Sequence, residues 1–283
     1  MRRLYSALKY VCIVALVISL IALVAVVAYV LINGVDELSL DLLFGDYKDT
    51  PSILPAFIGT LQLVGIAALI AVPIGVASAI FLVEYTNNKG KFVKIVQVAT
   101  ETLAGIPSIV YGLFGYLIFV VTFGWGYSML AGGITLAIMI LPTIVRSTQE
   151  SLLSVQGGLR EGAYALGTSK VRTIFKIVLP SAAGGIVTAI ILAIGRVVSE
   201  SAVLILTIGM VVNKVPETLM APGTSLALDI YYFASHGYPD EAAATAVVLL
   251  VFVMILNLLA GWMQTKSTGL IRSSFAPLCR VPT

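Results

Sequence analysis

Two ionisable residues, Arg196 and Glu200, stand in an otherwise uncharged run, Gly195-Arg196-Val197-Val198-Ser199-Glu200-Ser201-Ala202. A charge at the centre of a membrane-spanning helix costs on the order of 2.5–3.5 kcal/mol on insertion scales, so it marks either function or a matched pair. Four residues apart on one helix, the two share a face and can neutralise each other. The guanidinium also offers a planar fork of N–H donors suited to an oxyanion, with the Ser199 and Ser201 hydroxyls beside it. Two readings therefore stand: an anion path, or an ion pair that only fixes helix packing. Arg146 poses a similar choice at the end of another apolar run, between an anion path and snorkelling to headgroups. Glu101 either lines a path or sits at the inner interface.

A second group lies between residues 146 and 180. Leu159, Ala163 and Leu166 recur at i, i+4 and i+7 and predict one face of a short helix, with Arg160, Glu161 and Tyr164 towards other faces. Gly167 supplies a left-handed stop, Thr168 or Ser169 caps a second helix, and Leu179-Pro180 leads into the next apolar run. Such a helix–turn–helix can dock in a groove of a soluble partner, or lie on the lipid surface through Arg160, Lys170, Arg172 and Lys176. Other chemistries are missing. There is no GxxxxGK[ST] phosphate loop, Cys12 and Cys279 belong to no Cys/His cluster, and His236 stands alone. No metal, cofactor or catalytic group is expected on this chain.

The elements that carry these residues are membrane helices. Of 283 residues 59% are hydrophobic and 11% charged, and the mean hydropathy is +1.04. A soluble domain carries roughly a quarter charged residues, and a surface this poor in charge must face lipid. Six apolar stretches reach spanning length: 11–32, 56–83, 96–123, 129–145, 182–210 and 242–263. They lack the alternation of barrel strands. The first is long enough to be a retained helix rather than a signal peptide. With the N-terminus inside, fourteen of seventeen Lys and Arg fall in cytoplasmic segments: Arg2, Arg3, Lys9, Lys89, Lys91, Lys94, Arg146, Arg160, Lys170, Arg172, Lys176, Lys266, Arg272 and Arg280. The positive-inside rule thus gives N-in, C-in. Pro73, Pro107 and Pro142 are expected to kink their spans, and Gly184-Gly185 to allow close packing. A short outer helix is expected over 224–234, capped by Thr224 or Ser225.

The inner loop resembles the EAA loop of bacterial ABC-importer permeases. Glu161-Gly162-Ala163, three residues, Gly167, nine residues and Ile177-Val178-Leu179-Pro180 match its spacing, with Gly162 where the family usually has Ala. The stretch 195–202 resembles a segment of phosphate (Pst-type) importer permeases. So do Ile53-Leu54-Pro55 with Gly59-Thr60, and 103–108 with Tyr111-Gly112; 135–142 and Ile230-Tyr231-Tyr232 lean towards the PstA subunit type. The resemblance covers about residues 50–265.

It implies an all-α membrane protein with the type I ABC-importer (MetI-like) permease fold. In it, 1–55 form the first helix and outer loop, 56–265 the permease core with a coupling loop at 147–180, and 266–283 a cytoplasmic tail. It further implies that Arg146 and Arg196, with Glu200 and Ser199, belong to the substrate pathway. Glu161, Gly162, Ala163, Gly167, Leu179 and Pro180 would then couple to an ATPase. The implied partners are a PstC-like permease, a PstB-like ATPase homodimer that uses ATP and Mg, and a PstS-like phosphate-binding protein outside a bacterial or archaeal cytoplasmic membrane. A permease for molybdate or sulfate is the alternative cargo. A lone channel or membrane enzyme would need a charge ring or a catalytic cluster, and neither is present.

Overall fold

The computed structural model describes residues 2–45, 51–86 and 90–275, with side chains for those between 9 and 263. Asp46, Lys48, Asp49, Lys89, Cys279 and Arg280 lie outside the described residues, as does the end of the tail. Every regular element among the described residues is helical. Helix α1 (Arg2–Val35) leads to a short outer helix α2 (Leu40–Phe44), whose Ser39 cap accepts from the Leu42 N–H at 3.1 Å. Helix α3 (Leu54–Ile80) is extended by a widened π turn, Phe81–Tyr85. Next come α4 (Lys91–Ala104) and α5 (Ser108–Gly115), the latter extended by a π turn to Thr122. Helix α6 (Met129–Leu153) precedes the inner helices α7 (Gly157–Ala165) and α8 (Lys170–Thr173). Helix α8 continues through a π turn (Ile174–Val178) into α9 (Leu179–Val198). Helices α10 (Ala202–Thr207), α11 (Leu226–Ser235) and α12 (Pro239–Phe275) complete the chain. The last runs into the stretch expected as tail.

Five described helices are long and apolar enough to cross a membrane, and a sixth crossing requires α4 and α5 together. These two are bent by 96°. The third predicted span is therefore a broken element rather than one helix. The cause is local: Gly105 ends α4 and Pro107 starts α5 with ψ 140, a conformation outside the helical region. Pro73 and Pro142, in contrast, lie within helices that continue through them. The fifth predicted span, 182–210, also breaks, because the helix ends at Val198 and restarts at Ala202.

Packing follows side-chain size. The buried residues of α3 include Pro55, Gly59, Leu63, Ala67, Ala71, Gly75 and Ala79, one every fourth position and therefore one ridge that winds slowly across the face of the helix. Helix α6 lies along this face. A Cβ on Gly133 would sit 2.5 Å from Ile66, and one on Gly75 2.7 Å from Ile144, so both glycines are needed for the approach. Between apolar helices in lipid, such close backbone contact supplies the attraction that water expulsion supplies elsewhere. Gly185 sets α9 against Ser151 of α6 in the same way, as its sequence suggested. Helix α1 rests on α12, with Gly34 against Ala243 and Val247.

Candidate functional site

The inner site is built around helix α7. Arg160, at the centre of α7, turns away from solvent. Its guanidinium donates to the Glu84 carboxylate at 3.0 and 3.1 Å and to the Val155 and Leu152 carbonyls at 2.9 and 2.8 Å. Arg160 is 20% exposed and Glu84 6%. The carbonyls are those left over at the end of α6, which an arginine suits by geometry and by the helix dipole. Helix α7 ends in a Schellman turn: the Gly167 N–H donates to Tyr164 and the Thr168 N–H to Ala163, with Gly167 at φ +74. Left-handed Gly167 matches the expectation, whereas Ser169 stands at the N-cap position of α8 but its side chain makes no capping hydrogen bond. Ala163 is buried and Leu159 packs inward, whereas Leu166 is 88% exposed at the tip, off the face expected for it. Glu161 and Gly162 are exposed, and a Cβ on Gly162 would meet nothing, so its glycine is not sterically required. Pro180 lies in a continuous helix, just after the π turn in which the Leu179 N–H reaches back to Ile174. A proline lacks the N–H and crowds the carbonyl four residues back, and the wider turn together with the Ser181 hydroxyl on the Ile177 carbonyl absorbs this.

The membrane site lies at the two helix breaks. Helix α5 packs on α10, where a Cβ on Gly112 would sit 3.0 Å from the Val203 Cα. The Tyr111 hydroxyl donates to the Leu103 carbonyl at 2.9 Å and so closes the bend between α4 and α5. Arg196, near the end of α9, is exposed and within electrostatic range of Tyr111. The expected pair with Glu200 does not form. The chain leaves the helix at Ser199, and Glu200 instead accepts the Val203 N–H at 3.4 Å at the start of α10. A Ser-Glu-Ser run competes with helix through local side-chain bonds, and a carboxylate favours a helix N-terminus. Ser199 donates its hydroxyl to the Gly195 and Arg196 carbonyls, so it offers only lone pairs to a ligand. Among the described residues Arg196 makes no ion pair or side-chain hydrogen bond.

Arg146 is not at a helix end, because α6 continues to Leu153. It bridges Glu101 (3.4 Å) and Glu150 (3.2 Å) at the mouth of a cavity of about 200 Å³ that Gln97, Thr100 and Gln149 also line. All three charged groups are more than half exposed, so the pairs add little stability but do neutralise the arginine. Ser151 and Gly185 lie at one level. From there, at about 1.5 Å rise per residue, Arg146 stands roughly 8 Å outward and Arg196 roughly 16 Å. The two arginines thus occupy successive depths.

Sequence reading missed the outer seat of α11. Thr60 of α3 accepts the Leu226 N–H at 2.9 Å while donating to Ala56, and Gly59 meets the Thr224 carbonyl without room for a side chain. Ser225 caps α11 by accepting from Leu228, and Leu226, Leu228 and Phe233 are fully buried. It also buries Asp229, which accepts from the Thr224 hydroxyl through one oxygen and has no partner for the other. The outer segment caps α6 as well, through the Ala221 and Leu219 carbonyls on the Met129 and Leu130 N–H groups. Trp125 stacks on Phe119 in the tight outer turn.

These features describe a helical membrane protein with a short helix pair on its inner loop and a packed outer segment around α11. Residues 71–269 match the binding-protein-dependent transport system inner membrane components, and the chain belongs to that family. It is 33% identical over 257 residues to the probable ABC transporter permease protein YqgI of Bacillus subtilis, covering 84% of this chain and 87% of that one. It is 36% identical over 218 residues to the phosphate transport system permease protein PstA 1 of Mycobacterium tuberculosis, covering 75% and 70%. A solved bacterial alginate ABC transporter, in complex with its alginate pentasaccharide-bound periplasmic protein, shares the fold. Its TM-score is 0.68 at 16% identity, over 92% of this chain and 94% of that one.

Proposed function

We propose that this chain is one of two permease subunits forming the path of an ATP-driven phosphate importer. The observation that carries this reading is Arg196, a guanidinium fork on the open face of α9 with no carboxylate paired to it among the described residues. An unpaired arginine does not face hydrocarbon, so this side of α9 borders a partner chain or an aqueous path. A guanidinium there suits a tetrahedral oxyanion, and the name of the Mycobacterium relative points to phosphate. The second, PstC-like permease would complete the path. An external PstS-like protein would deliver phosphate, and a PstB-like ATPase pair holding ATP and Mg would bind α7. The chain itself has no phosphate loop and binds no nucleotide in this scheme.

The test is uptake of radiolabelled phosphate by the complete complex in proteoliposomes. Arg196→Gln is expected to abolish uptake while the complex still assembles, and near-normal uptake removes Arg196 from the path. Excess sulfate or molybdate should not compete; competition equal to that of unlabelled phosphate overturns the cargo. Phosphate flux through this chain without ATPase subunits overturns the importer.

A further inference from the structure

The contacts of the coupling helix extend beyond its docking tip. The π turn after α3 is held to the inner loop twice: Glu84 pairs with Arg160 of α7, and the Tyr85 ring lies under the Lys170 ammonium of α8, 5.0 Å from the ring centre. Beneath them Ala79, Leu152, Val155, Val178 and Ala182 form one buried cluster, with Val83 and Leu159 packed on it. The inner end of α3, the end of α6, α7 and the start of α9 thus share a core. Arg160 closes it by joining a carboxylate of one element to two carbonyls of another.

We propose that Arg160 and Glu84 form a strut that makes α7 and the inner end of α3 one moving body. Displacement of α7 by the ATPase is thereby delivered to α3 and, through the small-residue seam, to α6. The tip residues Leu166 and Tyr164 are exposed and meet the partner, while Arg160 faces inward and acts through position alone. A planar guanidinium fixed by four hydrogen bonds resists rotation, which a single apolar contact does not. The proposal rests on reading α7 as the ATPase contact.

The experiment uses the complete complex with Cys12→Ser and Cys279→Ser. Spin labels are placed at Ala77→Cys on α3 and Gly158→Cys on α7, both exposed positions. Label distances are measured without nucleotide and with ATP trapped. In the otherwise unchanged protein the distance should be the same in both states. The double variant Glu84→Gln, Arg160→Met removes both charges together, so no buried charge is left unpaired and folding is kept. It should assemble and hydrolyse ATP, its label distance should change with nucleotide, and phosphate moved per ATP should fall about tenfold. Unchanged distance and unchanged phosphate per ATP in the double variant overturn the strut, as does a distance that shifts with nucleotide in the unmodified pair. If the complex with native Glu84 and Arg160 turns over ATP without moving phosphate, that refutes the cargo reading instead, and the distances then decide the strut alone.

Discussion

Asp229 makes the outer segment sensitive to pH, with a sign that its environment dictates. Its carboxyl is fully buried in α11, outside the spanning helices, and burial raises its pKa from 3.8 to about 7 against the opposing Thr224 hydrogen bond. Helix α11 packs on α12 and α3. Residues 54–80 of α3 carry no charge, and residues 239–263 of α12 carry only Asp240 and Glu241, so no cation on these stretches offsets the carboxylate. Because the folded pKa lies above the unfolded one, the folded state binds the proton more tightly. The stabilisation is whole below about pH 4 and is lost as pH rises through 7. Between pH 6 and pH 8 the linkage relation gives a loss of about 1.4 kcal/mol, or roughly tenfold in the local opening constant. Hydrogen exchange of peptides covering 224–235, corrected for intrinsic rates, should show that loss of protection. Asp229→Asn, which cannot ionise, should abolish the dependence and protect α11 at pH 8. Equal protection of the native protein at pH 6 and pH 8, or an undiminished dependence in Asp229→Asn, refutes the argument.

Two further substitutions test local geometry. Gly167→Val places a branched side chain at φ +74, at a cost of about 1–2 kcal/mol, and should open the Schellman turn that orients the α7 tip. Reduced co-purification of the ATPase or reduced phosphate uptake is expected, and no change in either refutes the role of the turn. Thr60→Val removes the acceptor of the buried Leu226 N–H, at about 1–3 kcal/mol. Limited proteolysis of the 208–226 segment should accelerate, and an unchanged rate shows that Thr60 does not hold the seat.

Much of the inner loop was legible because its signals are local. Gly167 acts within a few residues of itself, and the spacing to Leu179-Pro180 is set along the chain. The seam of α3, with Leu63, Ala67, Ala71, Gly75 and Ala79 at a strict spacing of four, went unread because bulk hydropathy hides it. Hydropathy also hid the breaks at 105–107 and 199–201, since an apolar run reads alike whether straight or bent by 96°. Arg196 and Glu200 at i and i+4 face each other only if the helix continues, and it does not.

The sequence by itself therefore determined the membrane class, the cation bias that sets orientation, and the short inner helix with its glycine stop, because composition and short-range spacing suffice for each. Only the tertiary structure decided which charges meet. Arg160 finds Glu84 seventy-six positions away, Arg146 finds Glu101 on another helix, and Arg196 finds none among the described residues. Pairing in a low-dielectric interior depends on distances of a few ångströms between separate helices, and those are set by how small residues let the backbones approach.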